Sequence, residues 1–518
     1  MTLGERLNRL STDRLHGMRR GIERESLRSL PNGALALTPH PARLGSPLTH
    51  ARITTDYSES QLELITGVHA SVDGCLDELT QLHQYVARVL DDACHGERMW
   101  VSSMPCALPP DENIPIGSYG RSNIGRAKSV YRMGLAHRYG RRMQTISGLH
   151  YNWSLPGLSN DEHFALIRNF RRHSFLLLWL FGASPALCSG FVAGRDHGLI
   201  ELAPGTLYRP HATSLRMGRL GYQSEAQATL AVSYNSLESY ARTLEGALTR
   251  PYPPYEAIGV RNLGGEYNQL ATTLLQIENE FYGTIRPKRV IRSGERPLHA
   301  LRERGVEYIE VRCMDLDPEV PVGIRAQTMR FIDVFLLHCL LSDSPLDTPD
   351  EIAALGRNQH RTAAYGREPG LRLERGGAEV ALVDWAAELL AQCAPIAARL
   401  DAVQGGTLHA QALAAAQAAL AAPATLPSAR LLERMRRDHA GSHVELVRAQ
   451  SEQARNELID RPWTQARQAA FESEARASMA AARAIEQADE VDFETFRIAY
   501  LAPAGLELQE PAPASGLV

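Results

Sequence analysis

Apolar and polar positions change period several times along the chain, and each change marks a predicted element. The stretch "RRGIERESLRSLPNGALAL", Arg19 to Leu37, reads as a hairpin. Its turn is Pro31-Asn32-Gly33, because Asn-Gly accepts the positive φ angles that tight hairpin turns require. Apolar residues recur at helical spacing in "CLDELTQLHQYVARVLDDA", after Gly74, and in "DEHFALIRNFRRHSFLLLWLF". The second pattern predicts one helix from near Asn160 to Gly182. "GLHYNWSLP" and "VEYIEVRCMD" alternate as strands do. Short strands interleaved with helices predict an α+β domain over residues 1–375. From about Asp384 the chain turns to Ala, Arg, Gln and Glu, strong helix formers. This predicts a helical region over 376–501, broken near Pro423 and Pro427, and a loose Pro- and Gly-rich tail over 502–518.

Composition narrows the partners. A chain of 518 residues, 44% hydrophobic and 22% charged, is long enough for two or three units around a large core. The net charge of −4 builds no global field toward nucleic acid or an anionic membrane. The longest apolar run, Phe175 to Phe181, falls well short of the roughly 20 residues that cross a bilayer. Seven cysteines, scattered and without a CxxC pair, fit neither a disulfide framework nor a thiolate zinc motif. A reducing cytoplasm is the expected compartment.

The chemistry lies in embedded acids. Glu23 and Glu25 stand two apart in a strand pattern and so share one face. Asp56, Glu59 and Glu63 follow in "TTDYSESQLELIT", Glu278 and Glu280 in "QIENEFYG", and Glu307 and Glu310 in "VEYIEVR". A buried carboxylate must be paired, hydrogen-bonded or metal-bound. Carboxylate oxygens are hard ligands that suit Mg²⁺ or Mn²⁺ beside nucleotide phosphates. The alternative is pairing with nearby arginines: Arg20, Arg24 and Arg28 flank the first pair, and Arg312 lies two residues from Glu310. His150 in "GLHYN" shares a strand face with Asn152 and Ser154, as a metal ligand or as a hydrogen-bonded histidine of the fold.

Two basic stretches, "RSNIGRAKSVYRMGLAHRYGRR" and "IRPKRVIRSGERP", could hold the carboxylates of a small acid or the phosphates of ATP, or could be solvated faces. P-loop, HExxH and GxGxxG signatures are absent from the sequence. Residues alone lead to a carboxylate-rich divalent-metal site without a named substrate.

Eight segments carry a resemblance. "RGIERESLR", "LGSPLTHARITTDYSESQLELITGV", "ERMWVSSMPC", "MQTISGLHYNWSLP", "LFGASPALCSGF", "HATSLRMGRLGY", "QIENEFYGTIRPKRV" and "GVEYIEVRCMDLDP" resemble, in order, the glutamate–cysteine ligases of proteobacterial type. They cover nearly all of residues 15 to 345.

That resemblance implies a glutamine-synthetase-like architecture: a curved, mainly antiparallel sheet forming a funnel-shaped active site, with surrounding helices. It implies ATP-dependent joining of the glutamate γ-carboxylate to the cysteine amine through γ-glutamyl phosphate, with Mg²⁺, or Mn²⁺ in its place. By matching motif, the metal ligands would be Glu23, Glu25, Asp56, Glu63, His150 and Glu310. Arg312 would meet the phosphoryl group of ATP, and with Glu310 would form the catalytic pair. Gln144 and Arg216 would hold substrate, and Tyr131, Leu135, Tyr222 and Tyr282 would line the cysteine site. The expected partners are ATP, L-glutamate and L-cysteine, with no nucleic acid or membrane, and the expected state is a cytoplasmic monomer. A different amine acceptor, or a catalytically silent binding protein on the same fold, are the alternatives.

Overall fold

The computed structural model describes residues 1–506 except 95, 106, 222, 223, 229 and 293. Its centre is an antiparallel sheet built from β1 (Arg19–Ser29), β2 (Ile53–Thr55), β3 (Gln61–Ile65), β4 (Arg98–Met99) and β5 (Leu149–Ser154). A separate three-stranded sheet follows, of β6 (Ala186–Cys188), β7 (Ile200–Ala203) and β8 (Thr206–Tyr208). Strands β9 (Ile285–Lys288) and β10 (Tyr308–Met314) then return to the main sheet, and β11 (Arg372–Arg375) and β12 (Ala378–Ala381) form a hairpin. The main sheet has the order β2-β3-β1-β5-β10-β9, with β4 against the end of β1. The fold is α+β, as the alternation of short strands and helices predicts.

Period-two alternation gives this sheet two unlike faces. Ile22, Leu149, Tyr151, Trp153, Ile309 and Val311 all point to the back, where each is almost fully buried. Helices Val72–Ala93, Asn160–His173 and Ala326–Leu341 supply the rest of that core. Removing a ring as large as that of Trp153 would cost about 3–5 kcal/mol. Two of the three buried arginines of β1 on this face meet an acid, whereas Arg24 is buried with no hydrogen-bond partner among the described residues. Arg20 lies 3.0 Å from Asp333, which also accepts the Tyr151 hydroxyl at 2.8 Å. At the far end of β1, Arg28 bonds Glu97 at 2.6 Å.

Three sequence expectations change in detail. The Pro31-Asn32-Gly33 turn forms, with Gly33 at φ 84° and its N–H donating to Leu30 O. The returning limb, however, makes only an isolated bridge to β1, Ser29 with Leu35, because β3 holds one edge of β1 through Leu27 and β4 takes an edge at Arg28 and Ser29. The helix expected from Asn160 to Gly182 is two, Asn160–His173 and Phe175–Phe181. Ser174 divides them, its hydroxyl donating back to Arg171 O and competing with the backbone ladder. The tail begins later than residue 502: Pro503–Gly505 form a short turn, Leu506 is buried, and Arg302 donates to its carbonyl. Residues 507–518 lie outside the described residues.

Beyond residue 382 the chain is helical, beginning with Leu382–Gln404 and Leu408–Ala421. A short turn at Pro423–Thr425 and a helix opening at Pro427 mark the two prolines as breaks. Leu389, Ile396, Leu400 and Leu413 share one continuous core with Ile22 and Trp153 of the main sheet. The C-terminal helices therefore complete the core of the α+β unit.

Candidate active site

The front face of the main sheet collects the charged residues that alternate with the core. Register sets the neighbours: Glu25 pairs with Glu63 across β1 and β3, and Glu23 with His150 across β1 and β5. Glu310 lies between Asn152 on β5 and Arg286 on β9. The sheet thus runs from an acidic half on β3 and β1, through His150 and Asn152, to a cationic edge of Arg286, Lys288 and Arg312. A cavity of about 310 Å³ opens over this face.

All six sequence-predicted ligands line that cavity: Glu23, Glu25, Asp56, Glu63, His150 and Glu310. Glu23, His150 and Glu310 each offer a donor atom, and the three atoms lie within 4.8 Å of one another. His150 Nδ1 is 3.1 Å from Glu23 Oε2 and 3.4 Å from Glu310 Oε1, while its Nε2 is 3.4 Å from Glu25 Oε1. Asn152 donates to Glu23 at 2.9 Å, and the Gly148 amide donates to Glu25 at 2.6 Å.

The electrostatics record an excess of acid. Burial, followed by Asp56, pushes the Glu25 carboxyl up to about 7 despite His150, Arg216 and Arg312. Burial together with Glu23, Asp56 and Glu25 holds Glu63 well above the ordinary carboxylate range. Glu310 goes the other way: burial opposes its ionisation, but Arg312, Lys288, His150 and Arg286 together hold it well below that range. Glu23 is also lowered: burial opposes its ionisation most, and Glu310 adds to that, but the His150 hydrogen bond together with the charges of His150 and Lys288 outweighs both. Like charges gathered in this way are stable only if a cation joins them. Glu310 Oε2 is buried with no hydrogen-bond partner among the described residues, with the Lys288 ammonium 3.6 Å away. Hard, partly orphaned oxygen donors beside one imidazole fit Mg²⁺ or Mn²⁺.

Among the six expected ligands the arginine-pairing alternative holds at Glu310. Arg312 bonds Glu310 at 2.8 Å, but Arg20 and Arg28 are engaged elsewhere. Arg24 lies on the back face, fully buried beside Leu64 and Leu149. The other embedded acids are paired off structurally. Glu278 bonds Arg296 at 2.7 Å, Glu280 bonds Arg138 at 2.8 Å, and Glu59 accepts the His40 and Ser118 amides.

Tyr131, Leu135, Gln144, Tyr282 and Arg312 also line the cavity. Gln144 donates to the Tyr282 hydroxyl at 2.7 Å, fixing both at one wall. Arg312 lies where β10 spends four residues, Val311 to Met314, against three of β5, Tyr151 to Leu149. This one-residue bulge re-aims side chains next to the site. Arg216 is buried beneath the wall, donating to Arg312 O at 2.9 Å and lying 3.7 Å from Asp315. It packs so closely on Gly148 that a Cβ there would come within 2.0 Å of its Nη2. Tyr222 lies outside the described residues.

Sequence reasoning did not single out Lys128, Arg132, Asn279, Arg286 or Lys288 as site residues, although all five line the cavity. Four belong to the two basic stretches. In "IRPK" the basic residues alternate with Ile285 and Pro287, a strand signal that could have placed Arg286 and Lys288 on one face. Lys128 is brought down to about 8, chiefly by burial and secondly by Arg132. A second pocket, of about 340 Å³, adjoins the cationic edge and shares Asn279, Arg286 and Lys288 with the cavity. Its remaining wall is largely apolar, including Leu244, Val290, Ile291 and Leu298.

Carboxylates facing cations on the floor of an antiparallel sheet, beside a second part-apolar pocket, define an enzyme built to handle phosphoryl groups and a small acid. The glutamate–cysteine ligase family profile matches residues 6–362. The chain is 49% identical over 500 residues to glutamate–cysteine ligase of Pseudomonas entomophila, covering 93% of each. It is 46% identical over 535 residues to that of Bordetella parapertussis, covering 99% of each. The crystal structure of Francisella tularensis glutamate–cysteine ligase in complex with AMP superposes with a TM-score of 0.89. That comparison has 35% identity and covers 94% of this chain and 98% of the other. The chain belongs to the glutamate–cysteine ligase family, and its activity is the ATP-dependent formation of γ-glutamylcysteine. Among the described residues no helix is long and apolar enough to cross a membrane.

Proposed function

We propose that the front face of the main sheet is where the ligation takes place, and that its halves divide the work. Glu23, Glu25, Asp56, Glu63, His150 and Glu310 would hold Mg²⁺, or Mn²⁺ in its place. When bound, the metal supplies positive charge that screens the ATP phosphates and the incoming carboxylate. The observation that carries this reading is the convergence of all six ligands on one cavity, with Glu310 Oε2 left without a hydrogen-bond partner among the described residues.

Arg312, with Arg286 and Lys288 beside it, faces the transferring γ-phosphoryl group. The part-apolar pocket continuing from Arg286 and Lys288 receives the adenine of ATP; the relative's bound AMP supports a nucleotide subsite. A γ-carboxylate oxygen of glutamate attacks the γ-phosphorus and the bond to the β-phosphate bridging oxygen breaks, releasing ADP. The cysteine nitrogen then attacks the acyl carbon of γ-glutamyl phosphate. The carbon–oxygen bond breaks, and phosphate leaves as the nitrogen loses a proton. The chain's residues orient these groups in line and stabilise the added charge. Gln144 with Tyr282, and Tyr131 with Leu135, would form the walls against the small acceptor. Arg216 would hold substrate or, from its position under Arg312, set the height of that guanidinium. Tyr222 keeps its proposed place in the acceptor site. The protein would act as a cytoplasmic monomer, which light scattering of the purified chain would check.

The test is phosphate release with ATP, Mg²⁺ and L-glutamate, with and without L-cysteine, for wild type and the folded variants Glu23→Gln and Glu310→Gln. Cysteine-dependent turnover lost in both variants is the expected result. Undiminished turnover in either variant would remove that residue from the metal set.

A further inference from the structure

Behind the sheet, far along the chain from the carboxylates, the core contains a second group of donors. His173 ends the helix Asn160–His173, and His338 and Cys339 lie on Ala326–Leu341. Cys393 lies on Leu382–Gln404. A ring nitrogen from each histidine and Cys339 Sγ fall within 4.8 Å of one another; Cys393 is not one of that group, but its thiol lies near enough to help raise that of Cys339. His338, Cys339 and Cys393 are completely buried, and His173 is half-buried.

The hydrogen bonds define which nitrogen is spare. The Gln392 amide nitrogen donates to Glu388 at 3.2 Å, and Glu388 is itself held by Arg375 at 2.6 Å. Gln392 therefore presents its carbonyl oxygen to His338 Nε2, at 2.8 Å. A carbonyl only accepts, so Nε2 carries the proton and Nδ1 is a bare lone pair. That Nδ1 is buried without a hydrogen-bond partner among the described residues, and so is the Nδ1 of His173. Leaving one buried polar atom unmet costs about 1–3 kcal/mol, and two such ring nitrogens in a core that also holds two thiols need an explanation. An imidazole whose other nitrogen donates to an anchored oxygen is also how proteins orient histidine ligands.

We propose that His173, His338, Cys339 and Cys393 form a binding site for one zinc-class metal ion, which clamps the C-terminal helices to the α+β unit. The charge balance suits a dry core: a divalent ion, two thiolates and two neutral imidazoles sum to zero, avoiding the large cost of a buried net charge. Burial already holds both imidazoles in the neutral form that ligates. It also keeps both thiols protonated, pushing Cys393 up to about 12. Binding therefore exchanges two thiol protons for one metal ion. Zinc bonds of about 2.0 Å to nitrogen and 2.3 Å to sulfur put tetrahedral donors roughly 3.3–3.8 Å apart. From a spacing of up to 4.8 Å, three of the donors must draw in by about an ångström, and Cys393 must turn toward them. The half-buried His173, at the break before Phe175, gives the ion a way in.

Cobalt titration of the full-length, chelator-treated protein tests this with Co²⁺ as the probe. The expected result is intense ligand-field absorption and a thiolate-to-cobalt charge-transfer band saturating at one equivalent. Zn²⁺ should abolish both signals and release two protons per chain relative to the metal-free form. Cys339→Ser should reduce the charge-transfer band at least tenfold, whereas Glu310→Gln should leave it intact, because the carboxylate cluster binds through oxygen and nitrogen. If Cys339→Ser does not fold, His173→Ala at the half-buried helix end must shift the ligand-field bands instead. Absence of the charge-transfer band at stoichiometric excess of Co²⁺ in the wild type would overturn the proposal, as would a band unchanged in these variants.

Discussion

The two faces of the main sheet both bury charge, and they do so in opposite ways. On the back, Arg20 meets Asp333, which also accepts the Tyr151 hydroxyl, and the one guanidinium left without a hydrogen-bond partner among the described residues there is that of Arg24. On the front, Glu23, Glu25, Glu63 and Glu310 gather around one histidine, and Glu25 and Glu63 are left protonated more readily than free carboxyls. The difference separates a structural use of buried charge from a functional one. A set that balances within the protein holds the fold together, whereas a set left with excess acid is, in the function proposed above, prepared for a cation that arrives with substrate.

The largest effect that would break this comparison comes from the back face. Asp333→Ala leaves Arg20 buried without its acid and should cost about 3–5 kcal/mol of stability. Urea unfolding should show that loss, while the fraction that remains folded keeps near-normal cysteine-dependent turnover. Glu310→Gln on the front should shift the balance toward activity. Turnover should fall by roughly 10²–10³-fold, the scale of losing one well-placed electrostatic group, with a smaller loss of stability than at Asp333, because a glutamine still accepts the Arg312 hydrogen bond. If both variants lost stability alike, the distinction between the faces would be wrong.

A pH series sharpens the same point at smaller scale. The Glu25 carboxyl is raised from 4.5 to about 7 in the fold, so the folded state binds its proton more tightly than the unfolded state does. Its contribution to stability is therefore fully present below about pH 4.5 and is lost as pH rises through about 7. Denaturation midpoints in chelator should show that decline, and both Mg²⁺ and Glu25→Gln should flatten it. The smallest expected effect lies at the cavity wall. Gln144→Ala removes one neutral hydrogen bond, to Tyr282, and should raise an amino-acid substrate KM roughly two- to tenfold, or about 0.5–1.5 kcal/mol. The KM for ATP should hardly move.

Much of the fold was legible because it rests on local periodicity. The strand patterns around Glu23, His150 and Glu310, the helix after Gly74 and the proline breaks near residue 425 all come from side-chain period and turn chemistry. The site was legible in part. Glu23 and Glu25 share a face by spacing alone, and the motif resemblance supplied the other four ligands. Arg286 and Lys288 were visible only as part of a basic stretch, since nothing local says that β9 will lie beside Glu310. Arg20 and Arg28 show the converse: each is closer in sequence to Glu23 and Glu25 than Asp333 or Glu97 is. Alternation nevertheless turns Arg20 away from the acids, and the end of β1 carries Arg28 to Glu97.

The sequence by itself determined which residues alternate, where helices start and stop, and which acids are embedded in apolar strands. These depend on backbone geometry within a few residues. Only the tertiary structure decided which acids remain unbalanced, because that depends on which distant strand or helix arrives opposite each one. Glu280 meets Arg138 and is neutralised, whereas Glu25 meets Glu63 and is not. Coulomb energy in a buried site is set by neighbours a few ångströms away in space, and strand register, rather than distance along the chain, chooses those neighbours.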